Sequence, residues 1–202
     1  NPLIIDVGAN NGQSIERFSN LFHKPVIHSF EPVIKEYNEL KKKFIKSKDV
    51  FLNNYALGDK KEKKYFNITA KTENSSFNKI NLGTNWIKKR SAEFKVKETE
   101  YVKQRQEVNV DTLDNYCNER NIDYIDILKI DTQGYEDKIL EGCSELIKKN
   151  KIGIIITEIM FDNVYDKYFS FSDIEKYIIP HNFRMVGIDL ANNNLFSGLV
   201  FF

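Results

Sequence analysis

Leu3–Val7 is a short run, apolar at every position but Asp6, and it predicts a buried strand. The period then changes. Ile15, Phe18, Leu21 and Phe22 share one face of a helix predicted over Gln13–His23. Val26–Phe30 predicts a second strand, ending at Glu31-Pro32 because Pro32 cannot continue a central ladder. Ile34–Ser47 is helical again, with Tyr37, Leu40 and Phe44 on one stripe, and Val50–Leu57 predicts a third strand that stops at Gly58-Asp59. Strand and helix alternate, which implies a parallel sheet with helices on its faces.

The alternation breaks over residues 60–108. Lys64–Thr69 and Glu107–Val110 predict strands, while Asn74-Ser75-Ser76 and Asn81-Leu82-Gly83 read as loops. The segment has too few apolar residues for a core of its own, so it is expected to be an insertion within one domain spanning 1–202. Beyond it come a helix over Asp111–Arg120, a strand over Tyr124–Ile130 and a helix over Tyr135–Lys149 with Ile139, Leu140, Leu146 and Ile147 as its apolar face. Ile152–Ile156 is the most apolar stretch and predicts a central strand; Phe171–Ile179 predicts a helix. Phe183–Asp189 and Leu195–Phe202 predict strands joined by Ala191-Asn192-Asn193-Asn194, a link so short that the pair is antiparallel. The expected fold is α/β: a doubly wound, Rossmann-like sheet, mostly parallel, with an antiparallel C-terminal hairpin.

Composition agrees with one ordered domain: 202 residues, 41% hydrophobic and 13% aromatic. No apolar run approaches the roughly 20 residues of a membrane helix. No signal peptide is visible, and the abrupt start in an apolar run leads us to expect further sequence upstream. Cys117 and Cys143 stand in no metal-binding spacing and read as reduced thiols of a cytoplasmic protein. Net charge is +1 but uneven. Residues 60–105 hold 13 Lys/Arg against 5 Asp/Glu, and the remainder is acidic. That basic segment reads either as an attractor for an anionic substrate or as a solvated face. Its aromatics do not interleave with the basic residues, so a nucleic-acid partner is not expected.

In a doubly wound sheet the ligand lies at the carboxyl ends of the strands, where their order reverses. This selects Asp6 to Gln13, Glu31, Asn54 to Leu57, Asp131 to Gly134 and Glu158 to Asp162. Gly8 and Gly12 allow a tight turn and close approach of backbone to ligand. Glu31 lies 19 residues beyond Gly12, where a carboxylate accepts both hydroxyls of a ribose. Asp6 is expected to make the turn acidic, which disfavours a pyrophosphate and favours a ligand with an ammonium group. S-adenosylmethionine combines ribose hydroxyls, a sulfonium and an amino-acid end.

The motifs Ile-Asp-Val-Gly-Ala-Asn-Asn-Gly-Gln (5–13), Phe-Glu-Pro (30–32), Asn-Tyr-Ala-Leu-Gly-Asp (54–59), Val-Asp-Thr-Leu-Asp (110–114) and Leu-Lys-Ile-Asp-Thr-Gln-Gly-Tyr-Glu (128–136) occur in this order. Together they resemble the FkbM family of S-adenosylmethionine-dependent methyltransferases, from the first strand to at least Glu158. The resemblance implies a seven-stranded class I methyltransferase fold acting on a hydroxyl oxygen of a sugar, glycan or secondary metabolite. The family usually reads Asp-x-Glu-Gly where this chain has Asp131-Thr132-Gln133-Gly134, so a carboxylate at 133 does not carry over.

Asp6, Gly8, Ala9, Asn10, Gly12, Gln13, Glu31, Pro32, Asn54, Ala56 and Asp131 are expected at the cofactor. Asp131 and Glu158 are the candidate catalytic residues, Asp131 for the methionine end or the acceptor and Glu158 as base. Each has a plainer reading: Asp131 as a helix cap, Glu158 as a structural hydrogen-bond partner. His28 lies inside a strand and reads as a core histidine; His181 follows Pro180 in a loop. Asp131, Glu158 and Asp162 are a conceivable hard-cation set, though no metal is expected. Trp86 either stacks on a sugar or pins the insertion to the body. Competing functions are a nicotinamide-dependent oxidoreductase and a non-catalytic binding module on the same fold.

Overall fold

The computed structural model describes residues 1–190 and 196–202. Its elements in chain order are β1 (Leu3–Val7), α1 (Gln13–Leu21), β2 (Val26–Phe30), α2 (Ile34–Lys43), β3 (Val50–Asn53), β4 (Ala56–Leu57), β5 (Glu62–Thr69), α3 (Asn85–Glu93), β6 (Val102–Asp111), α4 (Leu113–Arg120), β7 (Ile125–Ile130), α5 (Glu136–Glu141), α6 (Ser144–Lys148), β8 (Ile152–Met160), α7 (Phe171–Tyr177), β9 (Gly187–Asp189) and β10 (Ser197–Phe201).

Among the described residues, seven strands form one sheet in the order β3-β2-β1-β7-β8-β10-β9. The first five run parallel, and β10 pairs antiparallel with both β8 and β9. The expected turn at Ala191–Asn194 lies outside the described residues. Strand order reverses between β1 and β7, whose register pairs Asp6 with Lys129 and Val7 with Ile130. One face of the sheet is covered by a large core that includes Phe30, Leu128, Ile130, Ile139 and Ile155; the other packs α1 and α2 through Ile15, Phe18 and Leu40. Burying side chains on both faces explains why these strands read as continuous apolar runs.

Local chemistry corrects several boundaries. The strand expected over Val50–Leu57 is two. Asn54 turns its amide onto the carbonyls of Glu31 and Pro32, at 2.9 and 3.2 Å, and pairing stops there. Ala56–Leu57 then joins a second, three-stranded sheet, β4-β6-β5. The helix expected over Tyr135–Lys149 breaks at Gly142, where a Cβ would stand 1.9 Å from the Gly58 carbonyl oxygen. Asp114 restarts it, accepting from the amides of Glu145 and Leu146. Leu21, expected on the buried face of α1, is exposed. Strand β8 runs on to Met160, so Glu158 lies inside a strand, opposite Leu199 of β10, and not beyond its end.

The 60–108 segment contributes β5, α3 and most of β6. Helix α3 was not predicted; Thr84 caps it by accepting from the Ile87 amide at 3.3 Å. Its Trp86 and Ile87 pack with Tyr101 against Met160, Val164 and Tyr165, so the apolar residues the segment lacks are supplied from the end of β8 and the residues after it.

Candidate functional site

Three residues of the β1–α1 turn have positive φ: Gly8 at 87°, Asn10 at 42° and Gly12 at 83°. At Gly8 the reason is also space, since a Cβ would stand 2.0 Å from the Asp131 carbonyl oxygen. At Gly12 a Cβ would meet Phe44 and Leu40 at 2.7 and 2.9 Å, so this glycine seats α1 against α2. Asparagine is among the few side chains that tolerate the left-handed region, which explains its place at position 10. It also does what glycine cannot: its amide donates to Thr72 Oγ1 at 3.2 Å, and neighbouring Asn11 donates to Glu73 Oε1 at 3.3 Å. The turn is thereby tied to the inserted segment.

Between turn and insertion lies a cavity of about 270 Å³. Gly8, Ala9, Asn10 and Gln13 line it from the turn, Glu31 and Pro32 from the end of β2, Ala56 and Leu57 from β4, and Asp131 to Gln133 from the end of β7. Phe66, Thr72 to Ser75 and Phe77 line it from the insertion. Glu31 is 5% exposed and accepts the amides of Asn10 and Val33, both at 2.8 Å. Burial pushes its carboxyl up to about 7, against the pull of those two amides. Beside it Val33 packs with Phe66 and Phe77, an apolar wall suited to a flat ring.

Asp6 is fully buried and does not line the cavity. Lys129, its register partner, places Nζ 3.3 Å from Asp6 Oδ1, 3.6 Å from Asp131 Oδ2 and 3.2 Å from the Gly8 carbonyl oxygen. Ser29 Oγ donates to the other Asp6 oxygen at 3.1 Å. The expectation of an acidic turn is therefore corrected: the aspartate's charge is neutralised inside the sheet. Burial works against the Lys129 charge, but the Asp6 and Asp131 carboxylates outweigh it and raise its pKa. Lysine is thus ionised, and a Lys–Asp pair spans the switch point.

Asp131 faces the cavity. Glu158 does not line it; Gln133 stands between. Gln133 Nε2 donates to Asp131 Oδ1 at 3.1 Å and to Glu158 Oε2 at 2.7 Å. Burial, with the carboxylates of Asp131 and Glu136, holds Glu158 well above the usual carboxylate range. Glu136, at the start of α5, is fully buried and accepts both the Thr132 amide at 2.8 Å and its hydroxyl at 3.0 Å. Burial raises it to about 7. It holds the 131–134 turn from below.

Gly12 and Asn54 also lie outside the lining; they shape the turn and the end of β2. Trp86 is buried and pins the insertion. His28 is a core residue bonded to Tyr116 at 2.6 Å and held near 4 by burial. His181 is not in the lining, and Asp162 accepts from the Asn163 amide. Among the described residues no group of three His, Cys, Asp or Glu side chains is placed to hold a metal ion, so Asp131, Glu158 and Asp162 do not form the conceivable set. Sequence reasoning missed Lys129, Glu136 and the inserted Phe66, Thr72 and Phe77. Lys129 carried a signal: a lone lysine in an apolar strand, two residues before Asp131 and so on the same face.

The methyltransferase FkbM domain signature matches residues 6–185, and the chain belongs to that family. It is 23% identical over 167 residues to the 2-O-methyltransferase NoeI of Sinorhizobium fredii, covering 82% of this chain and 66% of that protein. Its fold is similar to a crystal structure of methyltransferase FkbM from Methylobacillus flagellatus, with a TM-score of 0.65 at 13% identity, over all of this chain and 43% of the other. It is also similar to Aeropyrum pernix fibrillarin in complex with natively bound S-adenosyl-L-methionine, with a TM-score of 0.52 at 7% identity over 99% and 65% of the two chains. The chain thus spans less than two thirds of the length of each of these three proteins. No helix among the described residues is long and apolar enough to cross a membrane.

Proposed function

We propose that this member of the family binds S-adenosylmethionine in the cavity and transfers its methyl group to a hydroxyl oxygen of a sugar or another small molecule. The observation that carries this reading is Glu31. Its carboxylate is buried in the cavity wall with one backbone amide on each oxygen, which leaves lone pairs for a pair of ribose hydroxyls. Val33, Phe66 and Phe77 beside it would hold the base, and Asp131 the amino-acid end or the acceptor. A dinucleotide fits less well. Lys129, the cation of the described lining, is already engaged by Asp6 and Asp131, so no basic side chain there is left for a pyrophosphate.

When bound, S-adenosylmethionine supplies a methyl carbon made electrophilic by its sulfonium. The chain's residues supply position and a place for the acceptor's proton. Of the two candidate catalytic carboxylates, Asp131 lines the cavity and Glu158 does not, so Asp131 orients the acceptor hydroxyl and takes its proton. Glu158, first expected as the base, acts from behind Gln133. The likeness to NoeI, a 2-O-methyltransferase, supports oxygen as the atom methylated. Calorimetry with S-adenosylhomocysteine tests the reading: micromolar binding supports it, whereas binding of NAD and not of S-adenosylhomocysteine would replace it with the oxidoreductase. Labelled methyl donor with a panel of hydroxylated acceptors then tests the chemistry.

A further inference from the structure

Gln133 is held on every polar atom. Both amide hydrogens meet carboxylates, on Asp131 and Glu158. Its Oε1 accepts from Asn74 Nδ2 at 3.4 Å and lies 3.0 Å from the Tyr165 hydroxyl, whose single hydrogen it shares with the Asn74 carbonyl, also at 3.0 Å. Two carboxyl acceptors on one side, with the Asn74 amide and the shared Tyr165 hydroxyl on the other, favour one orientation for the amide. Its backbone is fixed too: φ is 59°, and Ser76 Oγ donates to its carbonyl at 2.7 Å. Asn78 then holds the Gly134 carbonyl at 2.6 Å, and Tyr101 donates to Asn74 Oδ1 at 3.0 Å. Four parts of the chain meet around this one residue: the end of β7, the C-terminal part of β8, Tyr165 beyond it and the inserted residues 74–78.

We propose that Gln133 is a positioning residue: its amide aims the Asp131 carboxylate into the cavity by tying it to Glu158 and, through Asn74 and Tyr165, to the insertion. The inference rests on the reading of the cavity as the methyl-transfer site. The amide is suited to the task because it carries no charge. A carboxylate of the same shape would set oxygen against oxygen at both contacts, and the three acids would have to share protons. The other ionisable groups around it are Lys129 on β7, with Asp6 behind it on β1, Glu136 on α5, and Tyr165 and Tyr101, whose hydroxyls burial raises. None of these supplies a second donor to the Asp131 oxygen that Gln133 holds.

The test compares the whole chain with its Gln133→Glu and Gln133→Met variants, by thermal denaturation and by calorimetry with S-adenosylhomocysteine, at pH 5.5 and pH 8.5. At pH 5.5 a carboxyl proton takes over from one amide hydrogen, so Gln133→Glu should fold and bind within about threefold of wild type. At pH 8.5 it should lose at least tenfold in affinity and melt several degrees lower relative to wild type. Gln133→Met, which offers Asp131 nothing, should bind at least tenfold more weakly at both pH values. The two variants differ in their response to pH, which a role in folding alone would not produce. Gln133→Glu tracking wild type in melting and binding at both pH values would overturn the inference, whether or not Gln133→Met folds. If wild type itself does not bind S-adenosylhomocysteine, the methyl-transfer reading fails; the melting of Gln133→Glu still decides whether the amide separates the two acids.

Discussion

The α-carbon of Gly8 passes so close to Asp131 that a Cβ there would stand 2.0 Å from the Asp131 carbonyl oxygen. Strands β1 and β7 therefore meet at the switch point through bare backbone, with the Asp131 amide donating to the Val7 carbonyl at 3.1 Å. A methyl group would have to push the two strand ends apart, and the positive φ of 87° adds strain of about 1 kcal/mol or more. Gly8→Ala should cost at least about 3 kcal/mol of stability and abolish cofactor binding. Gly83→Ala is the control: φ is 82° there as well, but nothing lies within 4 Å of the added carbon. Equal losses for the two in urea denaturation would show that conformation, not contact, is the constraint.

The Asp6–Lys129 pair is buried on both sides, at 0% and 6% exposure. Removing one partner of such a pair leaves a charge in the core, at a cost of about 3–5 kcal/mol, while removing both is far cheaper. Lys129→Met should accordingly be severely destabilised, and Asp6→Asn combined with Lys129→Met should recover at least half of the loss. A double variant no more stable than the single one would mean that the lysine acts through Asp131 or the Gly8 carbonyl instead.

Stability should fall as the solution becomes alkaline. Burial raises the carboxyls of Glu31 and Glu136 to about 7 and holds Glu158 well above the usual carboxylate range. Each binds its proton more tightly folded than unfolded, so its contribution is complete below about pH 4.5 and is lost as pH rises through the folded value. His28, depressed to about 4 by burial, works the other way, but only below its unfolded value near 6.5. Between pH 6.5 and 8 the carboxylates therefore act alone, at about 1 kcal/mol for each group titrating near 7. Melting temperature should drop by roughly 5 °C over that window. A rising or flat melting curve there would contradict the buried-acid account.

The same carboxyl gives ligand binding a pH signature. Glu31 accepts two hydroxyls best when ionised, so affinity for S-adenosylhomocysteine should rise as pH climbs through about 7. Below that value binding should release close to one proton, seen as a dependence of calorimetric heat on buffer ionisation enthalpy. Glu31→Ala should lose about 1–3 kcal/mol of affinity and the proton release together. Proton release that persists in a folded Glu31→Ala protein would move the linkage to another group.

What the sequence made legible follows from distance along the chain. The turn, the strand ends and Glu31 are local features, because each strand ends where its apolar run ends and the ligand edge lies just beyond. Asn10 was legible as a departure from glycine but not as a donor to Thr72, 62 residues away. Asp6 was misplaced for a related reason. Only the register of β1 against β7 sets it beside Lys129, and sequence alone does not give register. Glu158 was sought beyond a strand that in fact runs two residues past it, since Thr157 and Glu158 interrupt the apolar pattern while β10 continues the ladder. Helix α3 escaped because its apolar residues, Trp86 and Ile87, sit together at one end instead of recurring at helical spacing.

The final prediction concerns the division of labour between Asp131 and Glu158. Asp131 opens onto the cavity, with its side chain 37% exposed, whereas Glu158 is 9% exposed and reaches Asp131 only through Gln133. If Asp131 takes the acceptor's proton, Asp131→Asn should lower kcat by about 10²–10⁴-fold, the range for losing a general base. Glu158→Gln keeps size and removes charge. It leaves the Asp131 contact to Gln133 intact but exchanges an acceptor for an amide at the far side, so Gln133 must either lose a bond or turn. Its effect should be smaller, about tenfold in kcat, with KM for the acceptor nearly unchanged. It should also shift the pH–rate profile, because a buried acid next to the reacting carboxylate has been neutralised. A Glu158→Gln enzyme that loses as much rate as Asp131→Asn, with the rising limb of the profile gone, would return the base to Glu158 and require Gln133 to swing aside during turnover. A nearly normal rate in Asp131→Asn would remove general-base catalysis from this site and leave proximity and orientation to carry the reaction.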